Sequence, residues 1–163
     1  FFFFSLPAAK ELDKQLENIL GPYLLQIGFT GCYPDWRRIH TDGVDVITVQ
    51  LELNGEAKLC VEYGFTSPFT SVQFGADVVT PENLTTAALK FTGRRRLNPE
   101  VIDVQGLVPD YWYNYEDGDL IGCAKRILAD LPIAEDWWKH MTDKEKIAQT
   151  APAFFKKVER AQS

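Results

Sequence analysis

The alternation of apolar and polar residues is sharpest over residues 44–65, VDVITVQLELNGEAKLCVEYGF. In the leading half Ile47, Val49, Leu51 and Leu53 share one face, and Thr48, Gln50 and Glu52 share the other. In the returning half Ala57, Leu59, Val61 and Tyr63 alternate with Glu56, Lys58, Cys60 and Glu62. A side-chain period of two predicts a pair of half-buried strands. Asn54-Gly55 marks the turn between them. A two-residue loop would set each apolar residue opposite a polar one, which the pattern forbids. A three-residue loop restores parity. It pairs Leu51 with Ala57, Val49 with Leu59 and Ile47 with Val61, and puts Gly55 in the left-handed position of a bulge.

Helical spacing dominates on either side. Leu12, Leu16, Ile19, Leu20, Tyr23, Leu24 and Ile27 predict an amphipathic helix that opens near Ser5 and Pro7 and ends at Gly28. Pro22 predicts a kink or break near Gly21. Residues 29–33 and 36–40 read as extended, and Thr41-Asp42-Gly43 as the turn into the hairpin. Val72, Phe74, Ala76 and Val78 predict a third alternating strand, with Gly75 as a possible bulge. Pro81-Glu82 opens a short helical stretch to about Lys90, and residues 101–104 form a short strand. Leu120, Ile121, Ala124, Ile127, Leu128 and Leu131 predict a second amphipathic helix, stopped by Pro132, with a short helix after it carrying Trp137 and Trp138. A capping box from Thr142 to Glu145 starts a last helix, bent at Pro152. Strands in the middle with helices at both ends predict an α+β fold. It has one antiparallel sheet of about four to five strands, flanked by N-terminal and C-terminal helices. The domain spans residues 5–162, and Phe1 to Phe4 read as a tail or artefact.

Composition narrows the function classes. The chain has 163 residues, enough for one domain with a real core. No apolar run approaches the ~20 residues of a membrane helix. Cys32, Cys60 and Cys123 are far apart and odd in number, which points to free thiols in a cytoplasm. A net charge of −6 argues against nucleic acid. The acid concentrates between residues 100 and 136, where Glu100, Asp103, Asp110, Glu116, Asp117, Asp119, Asp130, Glu135 and Asp136 face only Lys125 and Arg126.

An amphipathic helix running into Gly28-Phe29 precedes Trp36-Arg37-Arg38 and a hydrophobic strand ending in Gln50. A strand closing in Tyr63-Gly64, the run Arg94-Arg95-Arg96-Leu97 and a later tryptophan-tyrosine segment follow. Together these features resemble the bacterial domain of unknown function 4304 over most of residues 10–141. The resemblance implies a cytoplasmic α+β domain with no established activity, and some small bacterial domains of this kind are held to be immunity proteins of toxin systems. It says nothing about residues 1–4 or the final helix.

Chemistry-bearing motifs are sparse. His40 and His140 are the two histidines, and no nucleophile elbow, C-x-x-C or H-E-x-x-H occurs. Asp117-Gly118-Asp119 lacks the later ligands of a calcium loop and reads as a turn into a helix cap. No metal or cofactor is implied. Arg94-Arg95-Arg96 reads either as a grip for a phosphate or carboxylate or as a surface run paired with the acids. The most informative stretch is Tyr111, Trp112, Tyr113 and Tyr115 beside Glu116, Asp117 and Asp119. If extended, it puts the three tyrosines on one side and Trp112 on the other. Aromatics rimmed by acid have an interface composition, although a core plug is the competing reading. The expectation is a non-enzymatic domain that binds another, basic protein and neither nucleic acid nor membrane. The alternative is a small-ligand site or enzyme pocket lined by Arg37, Arg38, Gln50 and Tyr63.

Overall fold

A computed structural model describes residues 6–67, 71–74, 77–89, 93–101 and 108–140. Helix α1 spans Leu6–Gln26 and helix α2 spans Leu120–His140. Between them lie β1 (Thr30–Cys32), β2 (Asp35–His40), β3 (Gly43–Leu51), β4 (Lys58–Thr66), β5 (Val72–Phe74), β6 (Asp77–Val79), β7 (Arg94–Arg96) and β8 (Tyr113–Asn114). Among the described residues the main sheet has the order β1-β2-β3-β4-β7, with β8 also paired to β4, and every pairing is antiparallel. The α+β architecture is thus the one expected.

Helix α1 buries Leu12, Leu16, Leu20 and Leu24 at a spacing of four, and α2 buries Cys123, Ala124, Ile127, Leu131, Ala134, Trp137 and Trp138. Both stripes pack on one sheet face, against Trp36, Ile47, Val49, Leu59, Val61, Tyr63, Phe65, Leu97 and Tyr113. Gly28 ends α1 with φ of 97°. There the Phe29 amide donates to Leu24 O at 2.8 Å and the Gly28 amide to Leu25 O at 3.1 Å, the paired bonds of a Schellman cap.

Neither proline breaks its helix. Pro22 and Pro132 both lie inside continuous helices of 21 residues. A proline in a helix interior costs about 3 kcal/mol. Each fully buried large apolar side chain returns about 1.5–3 kcal/mol. Leu24 beyond Pro22, and Trp137 and Trp138 beyond Pro132, are buried in the core, while both prolines face solvent. Tertiary packing therefore outweighs local propensity, and the expected separate helix for Trp137 and Trp138 is the end of α2.

The hairpin register also differs from expectation. The observed pairs are Leu51↔Leu59, Val49↔Val61 and Ile47↔Tyr63, shifted by two from the three-residue-loop register. Parity survives a shift of two, so the same residues still face the helices. The loop is longer because the Glu52 carboxylate accepts from the Glu56 amide at 2.8 Å and from the Asn54 amide, while the Glu52 amide donates to Lys58 O at 3.0 Å. Gly55 takes the expected left-handed conformation, φ 86°.

The second face of the hairpin is covered rather than solvated. Val44 and Val46 pack with Leu84 and Leu89. The Thr86 amide donates to Thr48 Oγ1 at 3.2 Å, and Thr48 Oγ1 donates to Asp35 Oδ1 at 2.7 Å. The expected helical stretch to about Lys90 is instead two 3₁₀ turns, Pro81–Asn83 and Thr86–Ala88, separated by extended backbone at Leu84. Nor does the run from Val72 to Val78 join the main sheet. It folds on itself as β5 paired with β6, with Phe74 opposite Asp77. The predicted strand over residues 101–104, the capping box at 142–145, the bend at Pro152 and the tail at 1–4 lie wholly or mainly outside the described residues.

Candidate functional site

The 111–119 stretch divides by side-chain direction. Strand β8 pairs Tyr113 with Leu59, which turns Tyr113 toward the helices. Tyr113 and Tyr115 are buried in the main core, and Tyr111 is half-buried with its ring edge-on to Tyr113 at 5.0 Å. The Tyr113 hydroxyl donates to Asp130 Oδ2 at 2.7 Å, and burial followed by that carboxylate raises its pKa. Tyr113 and Tyr115 thus fill the core, and Tyr111 packs at its edge. Trp112 takes the opposite face, half-buried, with Lys58 Nζ 5.0 Å and the Arg96 guanidinium carbon 5.3 Å from its ring centre.

Glu116, Asp117 and Asp119 are exposed. Asp119 caps α2, accepting from the Gly122 amide at 2.8 Å, and Asp117 Oδ1 accepts from the Asp119 amide at 2.9 Å. The other acids of the 100–136 region divide. Glu135 Oε1 lies 2.8 Å from Arg38 Nη2, and Asp110 Oδ1 lies 3.6 Å from Arg96 Nη1. Glu100 and Asp136 are exposed, and Asp103 falls outside the described residues.

The β3–β4 loop joins this acidic end, a juxtaposition sequence reasoning missed. The Tyr115 amide donates to Ala57 O at 2.9 Å, which sets the end of the β3–β4 loop beside Tyr115. Glu56 is exposed there, Glu52 is half-buried, and Leu53 is 97% exposed on a loop held by the Glu52 carboxylate. The two glutamates flanking Asn54-Gly55 were visible in the sequence, but the link from their loop to Tyr115 depends on the β4–β8 pairing, for which two residues give no pattern.

The four residues of the expected ligand pocket do not line one cavity. Neighbours in a strand point to opposite faces. Arg37 Nε donates to Leu84 O on the face away from the helices, while Arg38 turns toward them. Gln50 shares the face of Cys60, whose thiol lies 3.8 Å from Gln50 Oε1. Tyr63 stands on the helix side, edge-on to Trp137 and Trp138 at 5.5 and 5.7 Å, and burial pushes its hydroxyl up to about 12.

Arg38 is the centre of a partly buried polar cluster. Its Nε donates to Asp45 Oδ2 at 2.9 Å and its Nη1 to Ile27 O at 3.0 Å, and its guanidinium carbon sits 4.6 Å from the Phe29 ring centre and 5.1 Å from that of Trp138. His40 Nε2 lies 3.3 Å from the same Asp45 oxygen, and this bond raises the imidazole pKa. The cluster ties β2, β3 and α2 together. Arg38 has all its faces engaged, so it anchors the fold and leaves little for a ligand. Among the described residues no group of three or more His, Cys, Asp or Glu side chains is arranged to hold a metal. No described helix is long and apolar enough to cross a membrane.

No curated protein and no solved structure matches the chain. A family model matches residues 20–157, which takes in α2, the whole main sheet and the last turns of α1. On that match the chain belongs to the family described as Domain of unknown function (DUF4304).

Proposed function

We propose that this chain is a non-enzymatic protein-binding domain that receives a basic protein partner at the acidic end of its sheet. Within that reading, the role is that of an immunity-type protein that neutralises a basic toxin. The observation that carries the reading is Leu53, almost fully exposed on a loop held by Glu52 and carrying Glu56, whose end at Ala57 is bonded to Tyr115, the residue that leads into Glu116, Asp117 and Asp119. An apolar anchor on a pre-ordered loop loses little entropy on binding. Acids in excess over Lys58 and Arg126 at this end steer a basic partner and raise its encounter rate. The placement shifts the weight of the interface from the tyrosines to the loop, because Tyr113 and Tyr115 support it from below. Three free thiols support a reducing compartment such as a cytoplasm.

The test is paired capture from source cells. One bait is the native chain. The other carries Leu53→Ser with Glu116→Gln, Asp117→Asn and Asp119→Asn, the last keeping an oxygen for the α2 cap. One basic protein enriched on the native bait and lost from the other is the expected result. Acidic captures, or equal captures on both baits, would refute the reading.

A further inference from the structure

On the face away from the helices, β7 and β8 pair with successive stretches of β4, leaving Trp112 between Lys58 and Arg96. The Arg96 side chain is only 16% exposed. Its Nε and Nη1 atoms are shielded from water and have no hydrogen-bond acceptor among the described residues. Its neighbour Arg94 differs, donating from Nη1 to Thr86 O at 3.3 Å. A charged donor buried without an acceptor is costly. Among the described residues the carboxylate within ion-pair range of Arg96 is Asp110, at 3.6 Å too long for a hydrogen bond, and 72% exposed. Among the described residues the carboxylate paired with Lys58 is that of Glu56, which is 61% exposed. Ion pairs of such exposed carboxylates contribute little and exchange readily with solution ions.

The geometry points to a small-oxyanion site at Arg96, entered past Asp110, that takes a carboxylate or phosphate group. The incoming oxygens replace Asp110 and accept from the guanidinium, a charge-assisted bond stronger than the long pair it displaces. Lys58 supplies a second positive charge on the same indole. The site lies on the other sheet face from the Arg38 cluster and does not depend on the protein-binding reading.

The test is an NMR titration of the ¹⁵N-labelled full chain, following the Trp112 indole N–H, assigned by its loss in Trp112→Phe. Inorganic phosphate and acetate are added separately at constant ionic strength set with chloride. A saturable shift is expected, and whichever anion saturates it identifies the oxyanion class. Arg96→Gln weakens binding by about tenfold or more. Asp110→Asn tightens it by removing the internal competitor, and carries the test even if Arg96→Gln fails to fold. Lys125→Gln, exposed on α2, leaves it unchanged. No saturable shift with either anion, equal saturation in Arg96→Gln, or weaker binding in Asp110→Asn would overturn the assignment.

Discussion

At the scale of single residues, three side chains make separable predictions. Gly55 holds φ 86° with open space around the position of a Cβ, so a substitution there meets backbone strain and no clash. Gly55→Val should therefore lose about 1–3 kcal/mol. Lys58→Thr should lose less, removing only a partly exposed ion pair and a ring contact. Equal urea midpoints for the two variants would contradict the loop conformation. His40 carries a raised pKa because of its bond to Asp45, with Asp42 acting in the same sense, while burial and the Arg38 charge oppose it. The folded pKa lies above the unfolded one, so the imidazolium contributes stability at pH values below the unfolded pKa of about 6.5. That contribution is lost as pH rises through the folded value. Native chain minus His40→Gln, followed by denaturation across that window, should show a stability difference that shrinks with rising pH. A difference that grows with pH would contradict the pairing. The thiols separate by burial: Cys32 is exposed, while burial pushes Cys60 and Cys123 up to about 11. Native alkylation near neutral pH should add one adduct at Cys32, and denatured alkylation should add three. More than one native adduct would show that the core opens.

At the scale of elements, α2 carries the sharpest contrast. Trp138 is buried, donates its indole N–H to Gly64 O at 3.0 Å and lies 5.5 Å from the Phe29 ring. Trp138→Ala should cost about 3–5 kcal/mol, and Trp112→Ala about 0.5–1.5 kcal/mol, since Trp112 is half-exposed and held by two cations. Comparable losses from the two, read by denaturant unfolding, would mean that α2 does not continue past Pro132. This is also where the sequence was hardest to read. The apolar stripes of both helices were legible, because a period near 3.6 is a local property. The passage of α1 through Pro22 and of α2 through Pro132 was not, because it depends on Leu24 and Trp138 finding a distant core. Alternation in the hairpin told which residues share a face. It could not tell the register, which the Glu52 hydrogen bonds decide. The cover of Leu84 and Leu89 over Val44 and Val46 left no periodic trace, since extended backbone with isolated 3₁₀ turns has none. Of the candidate site, Glu116, Asp117 and Asp119 were legible as an acidic cluster. The link from Tyr115 to Ala57 at the end of the β3–β4 loop was not.

At the scale of the whole molecule, the negative charge is unevenly used. Asp45, Asp130 and Glu135 are consumed by internal partners, Arg38 and the Tyr113 hydroxyl among them. Glu56, Glu116, Asp117 and Asp119 remain at the surface. A partner drawn to that end should associate faster at low salt, since exposed charges are screened beyond ~8 Å at physiological ionic strength. Leu53→Ser should act mainly on the dissociation rate, and neutralising Glu116, Asp117 and Asp119 mainly on association. The most direct measurement is the association rate of the captured partner against ionic strength, for the native chain and for the Glu116→Gln, Asp117→Asn, Asp119→Asn variant. The account predicts a steep fall with salt for the native chain, and a slower, flatter profile for the variant. Coincident profiles would contradict it.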